Sequence, residues 1–549
     1  MSAVPSTSTG THPQGALYDY EVIVVGAGVS GIYQIKRLLE CGIKATVLDG
    51  NSDVGGTWYN NRYPGARFDS ESYTYGYSFS QELLDEWHWS ERFSPQPETL
   101  RYLNYVVDKF DLREHMQFNC KVEAMIFDEE TDTWRLTLSD GRTLSCRFVI
   151  TALGPLSTPT LPNFEGMDDF KGISFHPHHW PHDLTDLSGK RVGIIGTGAT
   201  AIQIIPVVAE QARHLTVFQR RANWAAPLNN GPISDQEMNA IRARYDEIFA
   251  ACARSPAAFE HVPDSRSFYD VPPEERRKFY DYLYDQPGFG IWLANFPEIF
   301  MDEKANAEIS DYIADRIRQR VDDPAIAEQL IPKDHGFGIQ RLPLETGYFE
   351  AYNRDNVELV DSKATPIERI TATGLRTSER EFEFDVIIYA TGFDAFTGAY
   401  DRIDIRGLGG KKLRDVWARG PVTYLGMLIS DFPNMAMLGG PQVAAANFPR
   451  GSETAVDWVM PLLEKMRAEG CTRFNVRTHA QQAWFDTVKQ SYEGLLMNKA
   501  QSWITGYNSN LEGHEYGHTR YNIFGTGGVE YAKHLEQAAK SGYRDIDIS

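Results

Sequence analysis

The chain has 549 residues, 42% hydrophobic and 12% aromatic, enough for two or three domains around a large buried core. A formal net charge of −21, from 54 basic and 75 acidic residues with no local basic patch, disfavours nucleic acid and anionic membrane as partners. No apolar run has the length of a bilayer span, and Cys41, Cys120, Cys146, Cys252 and Cys471 are scattered and never C-x-x-C, which argues against a disulfide framework and a dithiol centre and for a cytoplasmic protein.

Residues 1–17 are rich in Ser, Thr, Pro and Gly, lack a leader layout, and read as a disordered tail. Glu21–Val25 is a short apolar run suited to a buried parallel strand. Gly26, Gly28 and Gly31 follow it, then the helical pattern Ile32, Ile35, Leu38, Leu39, then a second strand, Ala45–Leu48, ending in Asp49. In such a unit the glycines give a tight turn, room for a pyrophosphate and close helix packing, while the acid meets a ribose diol. Lys121–Phe127, Trp134–Leu138 and Thr143–Ile150 predict an antiparallel meander. Pro155, Pro159 and Pro162 then mark a crossing between domains.

Phe170–Pro181 reads FKGISFHPHHWP. With His182 it supplies four histidines in seven residues, a count that would suit zinc. Pro177 and Pro181 break any helix that would aim them together and no cysteine lies nearby, so a rigid linker without metal is the expectation. A second nucleotide unit follows, with strand Arg191–Ile195, the turn Gly196, Thr197, Gly198 and Ala201, and a helix running on despite Pro206. Its next strand, Leu215–Gln219, ends in Arg220 and Arg221 instead of an acid. Guanidinium groups there exchange selection of a free 2′-hydroxyl for selection of a 2′-phosphate, which points to NADP. Ser234–Arg320 is polar and helical by pattern, an insertion into this domain, and the apolar Gly288–Phe296 run suggests packing under a cleft. Val357–Val360 and Asp385–Tyr389 read as strands, the second ending in ATGFDA, and Gly451–Arg467 as a long helix.

Phe170, Gly172, His176, Trp180 and Pro181 match F-x-G-x-x-x-H-x-x-x-W-P. This resembles the signature of the type I, flavin-dependent Baeyer–Villiger monooxygenases, which in that family precedes the NADP turn. The resemblance runs from about Tyr18 onward. It implies an α/β fold of two Rossmann-like domains, binding FAD and NADPH, with the helical insertion in the NADP domain. The division is 18–157 (FAD, first part), 158–227 (NADP, first part, with the linker), 228–335 (insertion), 336–389 (NADP, second part) and 390–549 (FAD, second part). Gly56, Thr57 and Trp58, then Asn61–Asp69, resemble the family's flavin-binding segment, with Asp69 near the isoalloxazine and Tyr75 touching the flavin. Phe68 stands where the family most often has cysteine.

Arg341, framed by Tyr348, Phe349, Glu350 and NRDNV, matches the family's active-site arginine. Gln340 stands where a lysine usually reaches the 2′-phosphate. Trp503 matches a tryptophan on a mobile loop near 495–520. Phe432–Gln442 resembles the strand end facing the flavin, and substrate-lining side chains are expected from the insertion and from loops near Phe432 and Gln442. The implied reaction takes NADPH, dioxygen and a ketone through a peroxyflavin to an ester or lactone, with Arg341 catalytic and Asp69 holding it. Oxygenation of amine or sulfur atoms, and a non-catalytic NADP sensor, are the alternatives. Which ketone is used and the oligomeric state are left open.

Overall fold

A computed structural model describes residues 18–184, 186–515 and 517–549; the expected tail, 1–17, lies outside them. Two sheets form the frame, the first mixed and the second parallel. In the first, Tyr20–Val25 pairs in parallel with Ala45–Leu48 on one side and Thr143–Thr151 on the other, so Val24 faces both Val47 and Ile150. A strand covered on both faces needs a continuous apolar run, and Val22, Ile23 and Val24 have no exposed surface. Val122–Asp128 and Thr133–Leu138 complete the antiparallel meander with Thr143–Thr151. Met435–Met437 returns from far along the chain to pair in parallel with that last strand.

The second sheet has five parallel strands in the order Val357–Asp361, His214–Gln219, Arg191–Ile195, Val386–Tyr389, Ile173–Phe175. Each sheet launches a helix from its glycine turn, α1 (Val29–Glu40) and α2 (Ala199–Gln211). A third helix, α3 (Phe448–Glu469), is joined to α1 by Ser30–Ser452 (2.7 Å) and by the Tyr33 hydroxyl donating to Asp457 (2.8 Å). Residues 235–330 are mainly helical, and Tyr280, Phe296, Ile309 and Tyr312 share one buried cluster with Val192 and Ile194 of the second sheet and Ile204 of α2. Ser234 and Glu237 open this stretch with a reciprocal capping box.

The chain crosses between the two units at 155–160 and 391–396, and the crossings are bonded to each other. Thr160 N donates to Gly392 O (2.9 Å), Asp394 N to Thr158 O (2.8 Å) and Phe396 N to Pro155 O (2.8 Å). The Phe170–Pro181 stretch lies against this joint. A Cβ on Gly172 would stand 2.5 Å from the Phe170 ring and 2.6 Å from Asp385 O, so only glycine fits. His178 N donates to His176 Nδ1 (3.1 Å), which leaves Nε2 to donate to Gly392 O (3.0 Å). Trp180 packs edge-on against Phe175 and donates to Leu184 O (3.1 Å), just beyond Pro181. Burial pushes His176 and His178 down to about 4, so both rings are neutral near pH 7. His182 turns away to Arg62 (2.8 Å), and no group of three metal-type side chains is arranged for a metal among the described residues.

Candidate active site

The two glycine turns are near copies. Gly26 and Gly196 have φ of +111° and +110°, and a Cβ on either would lie 2.4 Å from a carbonyl oxygen, that of Ala152 or Ala390. Gly31 seats α1 tightly on the Gly26 carbonyl. The N-caps of α1 and α2 are Gly28 and Gly198, and neither helix end has a side-chain cap. The first amides of both helices are therefore left to an anion. Nothing lies within 4 Å of a Cβ position on Gly198, and only the Gly56 backbone does so at Gly28. Both turns fit a dinucleotide pyrophosphate. Asp49 is buried at the end of its strand, accepting from Ala27 N (2.6 Å) and Asn51 N (2.7 Å), and burial raises its carboxyl above the ordinary value.

A cavity of about 880 Å³ runs from the first turn to the crossings. Gly26, Gly28, Asp49, Gly56, Thr57, Trp58, Asp69, Tyr75, Arg341 and Trp503 all line it. Trp58 Nε1 donates to the Tyr75 hydroxyl (2.9 Å), and Phe68 stacks on Tyr75 with ring centres 4.3 Å apart. Phenylalanine at that position thus completes a packed aromatic wall. Asp69 is buried, while the Arg341 side chain is 34% exposed toward the cavity. The Arg341 guanidinium donates to Asp69 Oδ2, which also accepts from Leu344 N at 3.2 Å. The guanidinium lies 5.5 Å from the Phe289 ring centre. A fixed positive charge is therefore held at the cavity wall by a carboxylate and a ring face.

Arg220, Arg221 and Gln340 gather elsewhere, around residues 501–509, and Thr197 of the turn Gly196–Gly198 is bonded to Arg221. The Thr197 hydroxyl donates to Arg221 O (2.7 Å). Arg220 bonds the Ser509 hydroxyl, while Arg221 is paired with Asp334 (2.8 Å) and bonded to Gln501 Oε1 (2.8 Å). Gln340 Nε2 reaches Gln501 O at 3.3 Å. Asn508 and Asn510 tie the same loop to the crossing through Phe393 O and Thr391 O.

The expectation of lining side chains from loops near Phe432 and Gln442 holds for the second loop only. Phe432 itself is packed in the core of the first sheet, and the Gln442 amide is used up by Thr423 and Pro421. Ala446 and Phe448, a few residues on, take that place. A buried side chain and a pocket-lining one look alike in sequence. Other site residues gave no local signal: Gln501, Ser509, and Gln203, which accepts from Tyr63 (3.0 Å) and donates to Arg67 O (3.0 Å). Burial pushes the Tyr63 phenol up to about 12.

Two dinucleotide turns, the first of them opening on a cavity with a fixed guanidinium, in a chain whose cysteines are unpaired, fit a protein that binds two nucleotides and carries no dithiol centre. Residues 19–230 match the family model described as flavin-binding monooxygenase-like. The chain is 43% identical over 537 residues to the 2-oxo-Δ3-4,5,5-trimethylcyclopentenylacetyl-CoA monooxygenase of Pseudomonas putida (96% of this chain, 98% of that protein). It is 41% identical to a Baeyer–Villiger monooxygenase of Pseudooceanicola batsensis (89% and 90%) and 37% identical to the phenazine N-monooxygenase PhzNO1 of Lysobacter antibioticus (95% and 96%). The crystal structure of OTEMO in complex with FAD and NADP matches with a TM-score of 0.93 at 42% identity, over 97% of this chain and 100% of that one. The chain belongs to the flavin-dependent Baeyer–Villiger monooxygenases.

Proposed function

We propose that this protein uses NADPH and dioxygen to insert one oxygen atom beside a ketone carbonyl, giving an ester or lactone. The observation that carries the proposal is the Arg341–Asp69 contact at the cavity wall. FAD, when bound and reduced by NADPH, supplies the activation of dioxygen. The FAD site is assigned to residues 18–157 with 390–549, and the NADP site to 158–227 with 336–389. Gly26, Gly28, Gly31, Asp49, Gly56, Thr57, Trp58 and Tyr75 would hold the first nucleotide. Gly196, Thr197, Gly198, Arg220, Arg221 and Gln340 would hold the second.

Arg341 presents N–H donors and a permanent charge where the ketone oxygen turns anionic on attack. Asp69 orients that guanidinium and, being buried, leaves one well-defined setting for it. Trp503 and the aromatic wall exclude water from the same space. A cytoplasmic setting, where NADPH is supplied, belongs to the same proposal; no helix among the described residues is long and apolar enough to cross a membrane.

The test is to incubate the flavin-loaded protein with NADPH and a panel of cyclic, linear and aryl ketones, and to analyse products by mass. Ketone-dependent NADPH consumption with one oxygen added as an ester supports the proposal. Because one relative is named as an N-monooxygenase, an N-heteroaromatic substrate belongs in the panel. N-oxide without any ester would overturn the ketone assignment.

A further inference from the structure

Beside the main cavity lies a second one of about 550 Å³, between the loop that follows Asp69 and residues 233–294. In its wall His261 Nε2 lies 2.8 Å from Glu71 Oε1. A carboxylate that carries charge only accepts, so His261 donates. Glu71 is 4% exposed, and its other oxygen has no hydrogen-bond partner among the described residues. His261 belongs to a loop, 255–264, that is anchored to the FAD unit at three points. Gly528 N donates to Pro256 O (2.5 Å), Asn447 N donates to Ala257 O (2.8 Å), and Glu71 takes His261. Ala258 within it has φ +56°, a backbone setting that persists only where its surroundings impose it.

The next residue, Phe259, lines the substrate cavity with its ring centre 5.2 Å from that of Phe289, the ring beneath Arg341. Gly288, just before Phe289, is in contact with the same pair: a Cβ there would stand 2.5 Å from Glu71 Oε1 and 3.2 Å from His261 Nε2. Both rings are thus carried by backbone that rests on one hydrogen-bonded pair, a buried carboxylate and a partly buried imidazole. We propose that the Glu71–His261 pair is a positioning device that holds Phe259 and Phe289 as the cavity wall, and through Phe289 sets Arg341, so that it governs which ketones are accepted and how much NADPH oxidation ends in product. This rests on the ketone assignment above.

The charges around His261 make the device pH-dependent. Burial lowers its pKa, but the charge and hydrogen bond of Glu71, with the charge of Glu260, outweigh burial and raise it above the ordinary 6.5. Glu260 is itself raised by burial and hydrogen-bonded with Tyr73, while Arg92, Arg244 and Glu237 face the cavity from the other elements. Because the folded value is the raised one, the charged pair is complete below 6.5 and is lost as pH climbs through the folded value. The wall loosens on the alkaline side.

The experiment compares wild-type, His261→Gln and His261→Lys holoenzymes from about pH 6 to about pH 9, with a small cyclic and a bulky aryl ketone. In His261→Gln the KM for the bulky ketone should rise roughly fivefold or more, with more hydrogen peroxide released. Flavin reduction by NADPH should stay near wild type. His261→Lys should restore KM and hold it level to higher pH than the wild type does. Unchanged KM and peroxide release in His261→Gln would overturn the proposal, as would identical pH profiles for wild type and His261→Lys. If His261→Gln does not fold, the wild-type and lysine profiles decide alone. Ester formation by the wild type is scored in the same runs, and its absence would count against the functional assignment rather than against the pair.

Discussion

Coenzyme choice can be worked from the groups around Gln501. A 2′-phosphate at the second nucleotide turn would meet three side chains, Arg220, Arg221 and Gln340. Arg221 is already compensated by Asp334 at 2.8 Å, and Gln340 carries no charge and donates to Gln501 O at 3.3 Å. Among the described residues Arg220 bonds the neutral Ser509 hydroxyl and no carboxylate, so there it supplies the single uncompensated charge of the three. Replacing Gln340 with lysine exchanges a neutral donor for a charged one, and charge-assisted bonds are roughly twice as strong. The gain is about 1 kcal/mol, which widens the NADPH-to-NADH ratio of kcat/KM about fivefold. Asp334→Asn removes the compensating charge from Arg221 and should move the ratio the same way. The two effects should sum to less than additive, because Arg221 and Gln340 share the Gln501 carbonyl. Steady-state kinetics with both coenzymes on the four proteins gives the ratios. A ratio that stays level or narrows with Gln340→Lys would place Gln340 away from the phosphate and refute the reasoning.

Arg341→Ala should leave flavin reduction by NADPH intact and lower ester formation on the order of a hundred- to a thousand-fold; stopped-flow reduction beside product assays separates the two, and ester formation near the wild-type rate would remove Arg341 from the chemistry. His176→Ala unties the Phe170–Pro181 stretch from Gly392 and should slow turnover of all ketones alike; a changed ketone preference at an unchanged rate would contradict that. His176 and His178 are held neutral with pKa values near 4 against an ordinary 6.5, so the unfolded chain binds more protons between those values and stability should fall as pH drops from 6.5 toward 4. Urea unfolding at about pH 7 and about pH 5 measures the slope, which His178→Asn should flatten; an unaltered slope would refute the account.

The backbone frame was legible because its determinants are short-range. A continuous valine run must be covered on both faces, and Tyr20–Val25 lies between two parallel partners. Gly26 and Gly196 are required by the carbonyls they meet, whatever else the chain does. Arg220 and Arg221 end a strand, and their direction follows from the strand. What a side chain does after folding was less legible. Arg221 was readable as a charge but not as one compensated by Asp334. Phe432 and Gln442 sit on the right stretch of chain, yet burial consumed both, and Phe448 faces the cavity instead. The Arg341–Asp69 pair spans 272 residues and the Glu71–His261 pair spans 190; the first was implied only by the family resemblance of its two segments, and nothing in the sequence pointed to the second. Turn and strand geometry follow from φ, ψ and neighbouring apolarity, which the sequence by itself states. Pairing of charges depends on which groups share a low-dielectric interior, and only the packed tertiary structure brings them there.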